Sequence, residues 1–167
     1  MLRDHAAIVR FIEQAHGITG RKKLQKMMYI AKKLGYPVNE KYEFHMYGPY
    51  SEELTARIEE LCTMGFLVEE KEDKGAYTQY AYSTTSESMD FMELSPPLGD
   101  AFSTCIGEMK EKSSRFLELV ATLFYFDDLE QQAQIDKVHI VKGKLNFTEE
   151  EFAEAFKFIE DLKKNNC

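Results

Sequence analysis

The chain has 167 residues, of which 44% are hydrophobic and 30% are charged, with a formal net charge of −8. This length and balance fit one compact domain with an extension, and they exclude wholesale disorder. No stretch approaches the roughly 20 apolar residues needed to span a bilayer. The first residues become polar too soon for a signal peptide. Three widely spaced cysteines favour free thiols in a reducing compartment, so we expect a cytoplasmic protein.

The net charge hides a strong asymmetry between two parts of the sequence. Residues 1–50 carry a net charge of +5, whereas residues 51–167 carry −13. Because phosphate contacts dominate nucleic-acid affinity, an acidic chain with one basic segment argues against general nucleic-acid binding. The asymmetry permits a local basic patch, or two oppositely charged surfaces that meet within a homodimer.

The first half of the sequence predicts a winged-helix-like core over residues 1–83. Apolar residues spaced i, i+3, i+4 and i+7 predict the helices, and alternating or β-branched and aromatic runs predict the strands. Ser51 is placed to cap the third helix, and Gly48-Pro49 to turn the chain before it. The predicted elements, in order, are helices at about 5–15 and 20–34, a strand at 41–47, a helix at 52–63, and hairpin strands at 66–70 and 76–83.

The second half predicts a connecting segment at 84–95 and then a helical extension over 96–167. Its helices are expected at about 97–112, 114–126, 129–142 and 149–164. Thr148 and Glu151 have the spacing of a capping box at the start of the last helix. The fold class expected is mainly α with a small β-hairpin (α+β), with the extension packing on the core or mediating dimerisation.

Four lysines of the second helix fall on one side of a helical projection, opposite the apolar residues. They are Lys22, Lys23, Lys26 and Lys33. One interpretation is an ordinary solvated helix face. The other is a contact surface for nucleic acid or for an acidic protein surface, the nearest of which is the acidic second half of this same chain.

Two segments resemble a known family. Residues 23–31 (K-L-Q-K-M-M-Y-I-A) are similar to the K-L-Q-K-L-x-Y-x-A helix of the YwgA-like bacterial proteins, and a similar helix opens the SocA-like Panacea domains of toxin–antitoxin systems. In both groups a strand and a G-P-[VY]-S-type turn follow, here residues 48–51. The resemblance covers residues 19–83 in detail. It implies a winged-helix-like bacterial module, with recognition of a protein toxin in the Panacea relatives, and it carries over no catalytic residue.

A DNA-binding winged-helix regulator is the alternative hypothesis, with residues 52–63 as the recognition helix. That helix carries four glutamates against Arg57 alone, and the hairpin tip is acidic as well. These charges disfavour docking on a phosphate backbone. Tyrosine is favoured at binding surfaces, and the candidate interface aromatics are Tyr47, Tyr50, Tyr77, Tyr80 and Tyr82.

No motif indicates catalysis, a metal or a cofactor. The histidines and cysteines lack the CxxC, HxxxH and HExxH spacings of metal sites. A hydrolytic pair of His45 with Ser51 or Cys62 is conceivable, but Ser51 suits a helix cap, Cys62 suits a core position, and no G-x-S-x-G elbow is present. The sequence therefore predicts a non-enzymatic regulatory or interaction module that binds a protein partner, without cofactor or membrane, and forms a homodimer.

Overall fold

The structure, a computed structural model, describes residues 2–165 and begins with helices that alternate with short strands. In chain order these elements are α1 (Leu2–Gln14), β1 (Ile18–Thr19), α2 (Arg21–Lys33), β2 (Glu43–His45), β3 (Gly48–Tyr50), α3 (Glu52–Thr63), β4 (Leu67–Asp73) and β5 (Thr78–Thr84).

Helices make up the remainder of the described chain. They are α4 (Ser88–Phe91), a 3₁₀ turn (Met92–Leu94), α5 (Asp100–Lys110), α6 (Ser114–Tyr125), α7 (Gln131–Val141), a second 3₁₀ turn (Gly143–Leu145) and α8 (Glu149–Lys164). The protein is thus mostly helical with small antiparallel sheets, which is the α+β class that the sequence predicts.

The larger sheet has three antiparallel strands in the order β1-β5-β4. The predicted hairpin forms its β4 and β5 strands. The sequence analysis missed β1, in which Ile18 pairs with Tyr82 and Thr19 with Ala81. A two-residue strand has no periodicity of its own, so only its partner, more than 60 residues away, defines it.

The smaller sheet corrects the predicted turn at Gly48-Pro49. Gly48 and Pro49 lie in β3, where they pair with His45 and Phe44 of β2. The chain therefore reverses before Gly48. Pro49 is tolerated because a two-stranded sheet consists of edge strands. Gly48 has a φ of +87°, which favours glycine. The reversal therefore occurs at residues 46–47, which project from the end of the sheet.

One hydrophobic core takes residues from both halves of the chain. Helix α6 packs against α2, and α5 contacts both α1 and α2. As a result α2 is covered on several sides, and the run from Leu24 to Ala31 is buried without interruption. A helix in this position is not amphipathic in the way that a surface helix is.

Local signals locate several helix ends correctly. The Ser51 hydroxyl accepts a hydrogen bond from the Leu54 N–H at 3.0 Å, and Thr148 with Glu151 forms the predicted capping box. The segment of residues 84–95, which the sequence predicts as a connection, contains α4 and a 3₁₀ turn, and its Met92 is buried.

The cysteines differ from expectation at one position. Cys62 is a free thiol, as predicted, whereas Cys105 is disulfide-bonded, so the expectation of free thiols is wrong there. Cys167 lies outside the described residues. Within residues 2–165 the structure contains no helix with the length and apolar character required to cross a membrane.

Candidate functional site

The two segments that carry the family resemblance are hydrogen-bonded to each other. Gln25 Nε2 donates to the Ser51 carbonyl and the Ser51 N–H donates to Gln25 Oε1, both at 2.9 Å. The next residue on α2, Lys26, donates from Nζ to the Pro49 carbonyl at 3.2 Å. The motif side chains of α2 therefore hold β3 and the start of α3 in place.

Lys26 does not lie on an exposed lysine stripe, and this part of the sequence-based prediction is wrong. Only 1% of the residue is exposed, because α6 and β3 cover the side of α2 that the helical projection assigned to solvent. Burial is the main cause that lowers the pKa of Lys26 to about 8. The Glu118 carboxylate opposes this shift, whereas the Lys142 and Lys22 ammonium groups add to it.

Two of the other stripe lysines are occupied by the second half of the chain. Lys33 Nζ forms an ion pair with Asp127 at 3.2 Å, and Lys23 donates a hydrogen bond to the backbone carbonyl of Lys110. Burial lowers the pKa of Lys23. Lys22 is exposed, as Lys33 is, and its Nζ lies 3.6 Å from the centroid of the Tyr47 ring.

Arg57, the only basic residue on α3, is also engaged within the chain. Its guanidinium pairs with the buried Glu40, with Asp4 at 3.6 Å and with Glu53 at 3.9 Å. Glu40 is almost completely buried, so this arginine neutralises a carboxylate that otherwise lacks compensation. In this structure Arg57 is not available at the surface for a partner or a phosphate.

The five candidate tyrosines do not share one surface. Tyr50 and Tyr82 are used internally, since the Tyr50 hydroxyl bonds to Thr55 Oγ1 at 2.9 Å and the Tyr82 hydroxyl donates to Glu69 Oε2 at 2.7 Å. Tyr80 lies under the Arg21 guanidinium at 3.6 Å. Tyr77 is 61% exposed at the end of the hairpin, and Tyr47 is 46% exposed beside Lys22.

A wide cleft lies next to Tyr47. It lies between the start of α2, the turn that joins β2 to β3, and the end of α7, and its volume is about 710 Å³. We call it the α2–α7 cleft. The lining residues used below are Lys22, Met46, Tyr47, Ile140, Lys142 and Lys144.

Apolar side chains are unusually exposed at the rim of this cleft. Met46 is 81% exposed and Ile140 is 76% exposed, although both are large hydrophobic residues. Their exposure follows from the corrected reversal at residues 46–47 and from the position of Ile140 at the end of α7. Exposed apolar surface rimmed by polar groups is typical of an interaction site.

Charged groups form the floor of the cleft. Lys142 Nζ is 3.3 Å from Glu118 Oε2 and also donates a hydrogen bond to the Met46 carbonyl. Both side chains are largely buried. The residues that line the cleft include three lysines and one glutamate, so its charge is opposite in sign to that of the whole chain.

Sequence reasoning found Lys22 and Tyr47 but missed Met46, Ile140 and Lys142. The hydrogen bond from Lys142 to Met46 joins residues that are 96 positions apart in the sequence, so no local pattern predicts it. The strand interpretation of residues 41–47 placed Met46 with Tyr42 and Phe44 on one face, which favoured burial. The exposed Ile140 two residues before Lys142 was the available signal, since it interrupts the polar side of a helix.

The residues considered for hydrolysis have other roles. Ser51 is buried and caps α3. Burial raises the pKa of the Cys62 thiol, and Glu69 and Glu59 add to the shift, which disfavours the thiolate. His45 lies against the Tyr50 ring at 5.2 Å between centroids. Among the described residues no cluster of three or more metal-ligating side chains is present.

No protein-family model matches this chain. Over 166 residues it is 51% identical to a protein of Bacillus subtilis (strain 168) named "Uncharacterized protein YwgA", and the alignment covers 98% of each chain. The aligned 166 residues span both the helix of residues 23–31 and the segment of residues 48–51, which interact in the structure. The chain therefore belongs to the YwgA-like family.

Proposed function

We propose that this chain is a non-enzymatic bacterial regulatory or interaction module that binds a protein partner through the α2–α7 cleft. The observation that carries the proposal is the exposure of Met46 and Ile140 on a concave surface next to Lys22 and Tyr47. Water around such side chains is released when an apolar partner group covers them, which favours association.

The charges of the cleft indicate the chemistry of the partner. Lys22, Lys142 and Lys144 outnumber Glu118, and the chain otherwise carries excess negative charge. A partner segment with apolar anchor residues flanked by Asp or Glu complements this surface. The resemblance to SocA-like Panacea domains supports the same class of function, because it implies recognition of a protein toxin.

The proposal includes a winged-helix-like core. The element order α1-β1-α2-β2-β3-α3-β4-β5 and the sheet order β1-β5-β4 support it, since three helices followed by a hairpin are the elements of such a core, with the β2–β3 pair inserted between α2 and α3. This topology favours DNA binding as the second candidate function. The charges oppose it, because the exposed side of α3 carries glutamates and Arg57 is paired within the chain.

Photo-crosslinking in the native cells tests the protein-partner proposal. A benzophenone amino acid replaces Tyr47 in the cleft or, as the matched control, Tyr77, which is also an exposed tyrosine but lies on the hairpin. We expect a defined protein adduct from position 47 that is absent from position 77. It disappears when Lys22→Glu and Ile140→Asp are introduced together. The same adducts from both positions, or none from position 47, contradict the proposal.

The DNA alternative has a separate test. Fluorescence anisotropy with random duplex DNA at about 50 mM salt detects non-specific phosphate binding in the micromolar range. We expect no saturable binding by the full chain. Micromolar binding that weakens steeply with salt and is abolished by Lys22→Glu would replace the protein partner with DNA as the main ligand.

The homodimer and the cytoplasmic location remain predictions. Sedimentation equilibrium at several concentrations tests the dimer. Cell fractionation tests the location, for which the cysteines give opposing indications: the free thiol of Cys62 fits a reducing compartment, whereas a disulfide at Cys105 is typical of an oxidising one.

A further inference from the structure

Three lysines and one glutamate lie close to one another at the α2–α7 cleft. Lys142 is paired with Glu118 at 3.3 Å, and Lys26 is close enough to both for their charges to act on it. Lys22 adds a third positive charge from the rim. This cluster therefore has an excess of positive charge.

Lys26 is the unusual member of this cluster. Its ammonium group is buried, and it takes part in none of the ion pairs that residues 2–165 form. Its hydrogen bond to the Pro49 carbonyl supplies no counter-charge, and Glu118, which is paired with Lys142, offsets only part of the cost of burial. Buried charges in proteins are normally paired, because removing an ammonium group from water is costly.

The cleft offers an opening through which a counter-charge can reach the cluster. Lys22 and Lys142 line the cleft directly, while Lys26 lies behind them against β3. An anionic group that enters the cleft pairs with the exposed Lys22 ammonium group, and it is stabilised by the field of Lys142 and Lys26, which are largely buried. The interaction is stronger than on an open surface, since the surrounding dielectric is lower.

We propose that the α2–α7 cleft holds a subsite for one carboxylate, contacted by Lys22 and stabilised by the field of Lys142 and Lys26. The inference rests on the proposed function, since it names the group that the partner segment supplies: an Asp or Glu side chain next to the apolar residue that covers Met46 and Ile140. No covalent step is involved.

The test titrates N-acetylglutamate into the ¹⁵N-labelled full chain and follows the amide signals of Met46, Tyr47 and Gly143 by NMR. Sodium chloride at equal ionic strength separates specific binding from charge screening. Inorganic phosphate forms a third arm, because a phosphate is the other anion that this cluster could attract. We expect saturable shifts with N-acetylglutamate, weaker ones with phosphate and none with sodium chloride.

Two variants locate the subsite. Lys22→Gln changes an exposed side chain and is expected to weaken N-acetylglutamate binding about fivefold, as a partly screened ion pair does. The matched control, Lys164→Gln on the exposed end of α8, is expected to bind like the wild type. The second variant, Lys26→Met, removes one cation of the cluster and leaves Lys142 paired with Glu118, and it is expected to weaken N-acetylglutamate binding about threefold.

The outcomes decide between the assignments. Shifts that sodium chloride reproduces, or that Lys22→Gln and Lys164→Gln affect equally, overturn the subsite. Tighter binding of phosphate than of N-acetylglutamate overturns the carboxylate assignment. Neither result removes the photo-adduct expected at position 47, so failure of the subsite and failure of the proposed function can be told apart.

Discussion

Replacement of the buried lysine by methionine gives the sharpest test of the cleft floor. Lys26→Met removes the ammonium group but retains an unbranched apolar chain of similar length. Burial holds the pKa of Lys26 near 8, about 2.5 units below the value of 10.5 for an exposed lysine. At about 1.4 kcal/mol per unit, the charged form is disfavoured in the folded protein by about 3 kcal/mol.

The sign of the pH dependence follows from this difference. The unfolded chain binds the Lys26 proton more tightly than the folded protein, so between the two pKa values the free energy of unfolding rises with pH. From about pH 7.5 to about pH 9.5 this group alone is expected to add about 2 kcal/mol to wild-type stability. Lys26→Met lacks this rise. Above about pH 10 the buried tyrosines, such as Tyr29 and Tyr42, lower the free energy of unfolding as the pH rises. Burial raises their pKa, so the unfolded chain loses these protons first.

The measurement is urea unfolding, followed by far-UV circular dichroism at constant ionic strength across this pH window. The unfolding free energy of the wild type minus that of Lys26→Met should increase by about 2 kcal/mol between about pH 7.5 and about pH 9.5. Lys164→Met, on the exposed end of α8, is the matched control and should run parallel to the wild type. If Lys26→Met also runs parallel, Lys26 does not carry an uncompensated buried charge.

Three further substitutions test how the cleft and its supports are held. Gln25→Ala removes both buried hydrogen bonds to the Ser51 backbone and should lower the free energy of unfolding, measured in urea, by about 2–4 kcal/mol. A loss below about 0.5 kcal/mol contradicts the contact between Gln25 and Ser51. Gly17→Ala should cost more than Gly75→Ala, because both have positive φ but a Cβ at Gly17 would lie 3.1 Å from the Tyr82 carbonyl oxygen, whereas nothing lies within 4 Å of one at Gly75; equal losses contradict this packing. Thr148→Ala should lower stability by about 1 kcal/mol and speed amide exchange at the start of α8, and unchanged exchange contradicts the cap.

Elements with a local physical cause were predictable from the sequence. The cap at Ser51 and the capping box of Thr148 with Glu151 depend on residues within three positions of each other, so the sequence contains the whole interaction. The β4–β5 hairpin is similarly local. In contrast, β1 exists because Ile18 and Thr19 pair with a strand far along the chain, and no signal within two residues can specify that partner.

The candidate site was predictable only in part, for the same reason. Lys22 was recognised as part of a lysine stripe on a helical projection, and Tyr47 because tyrosine is favoured at binding surfaces. The burial of Lys26 depends on α6, and the position of Lys142 under the β2–β3 turn depends on the end of α7. A helical projection of α2 assumes one covered face, and it fails when a second half of the chain packs on the other side.

The family motifs acquire a definite role from these contacts. Gln25 and Lys26 bind the backbone of Ser51 and Pro49, which fixes the strand directly after the turn at residues 46–47. Lys142 holds the same turn from the opposite side through the Met46 carbonyl. The motif residues thus determine where the turn stands, whereas the side chains on the turn and at the end of α7 determine what it can bind. Substitutions at Gln25 should therefore act on stability first, and substitutions at Tyr47 or Ile140 on partner binding alone.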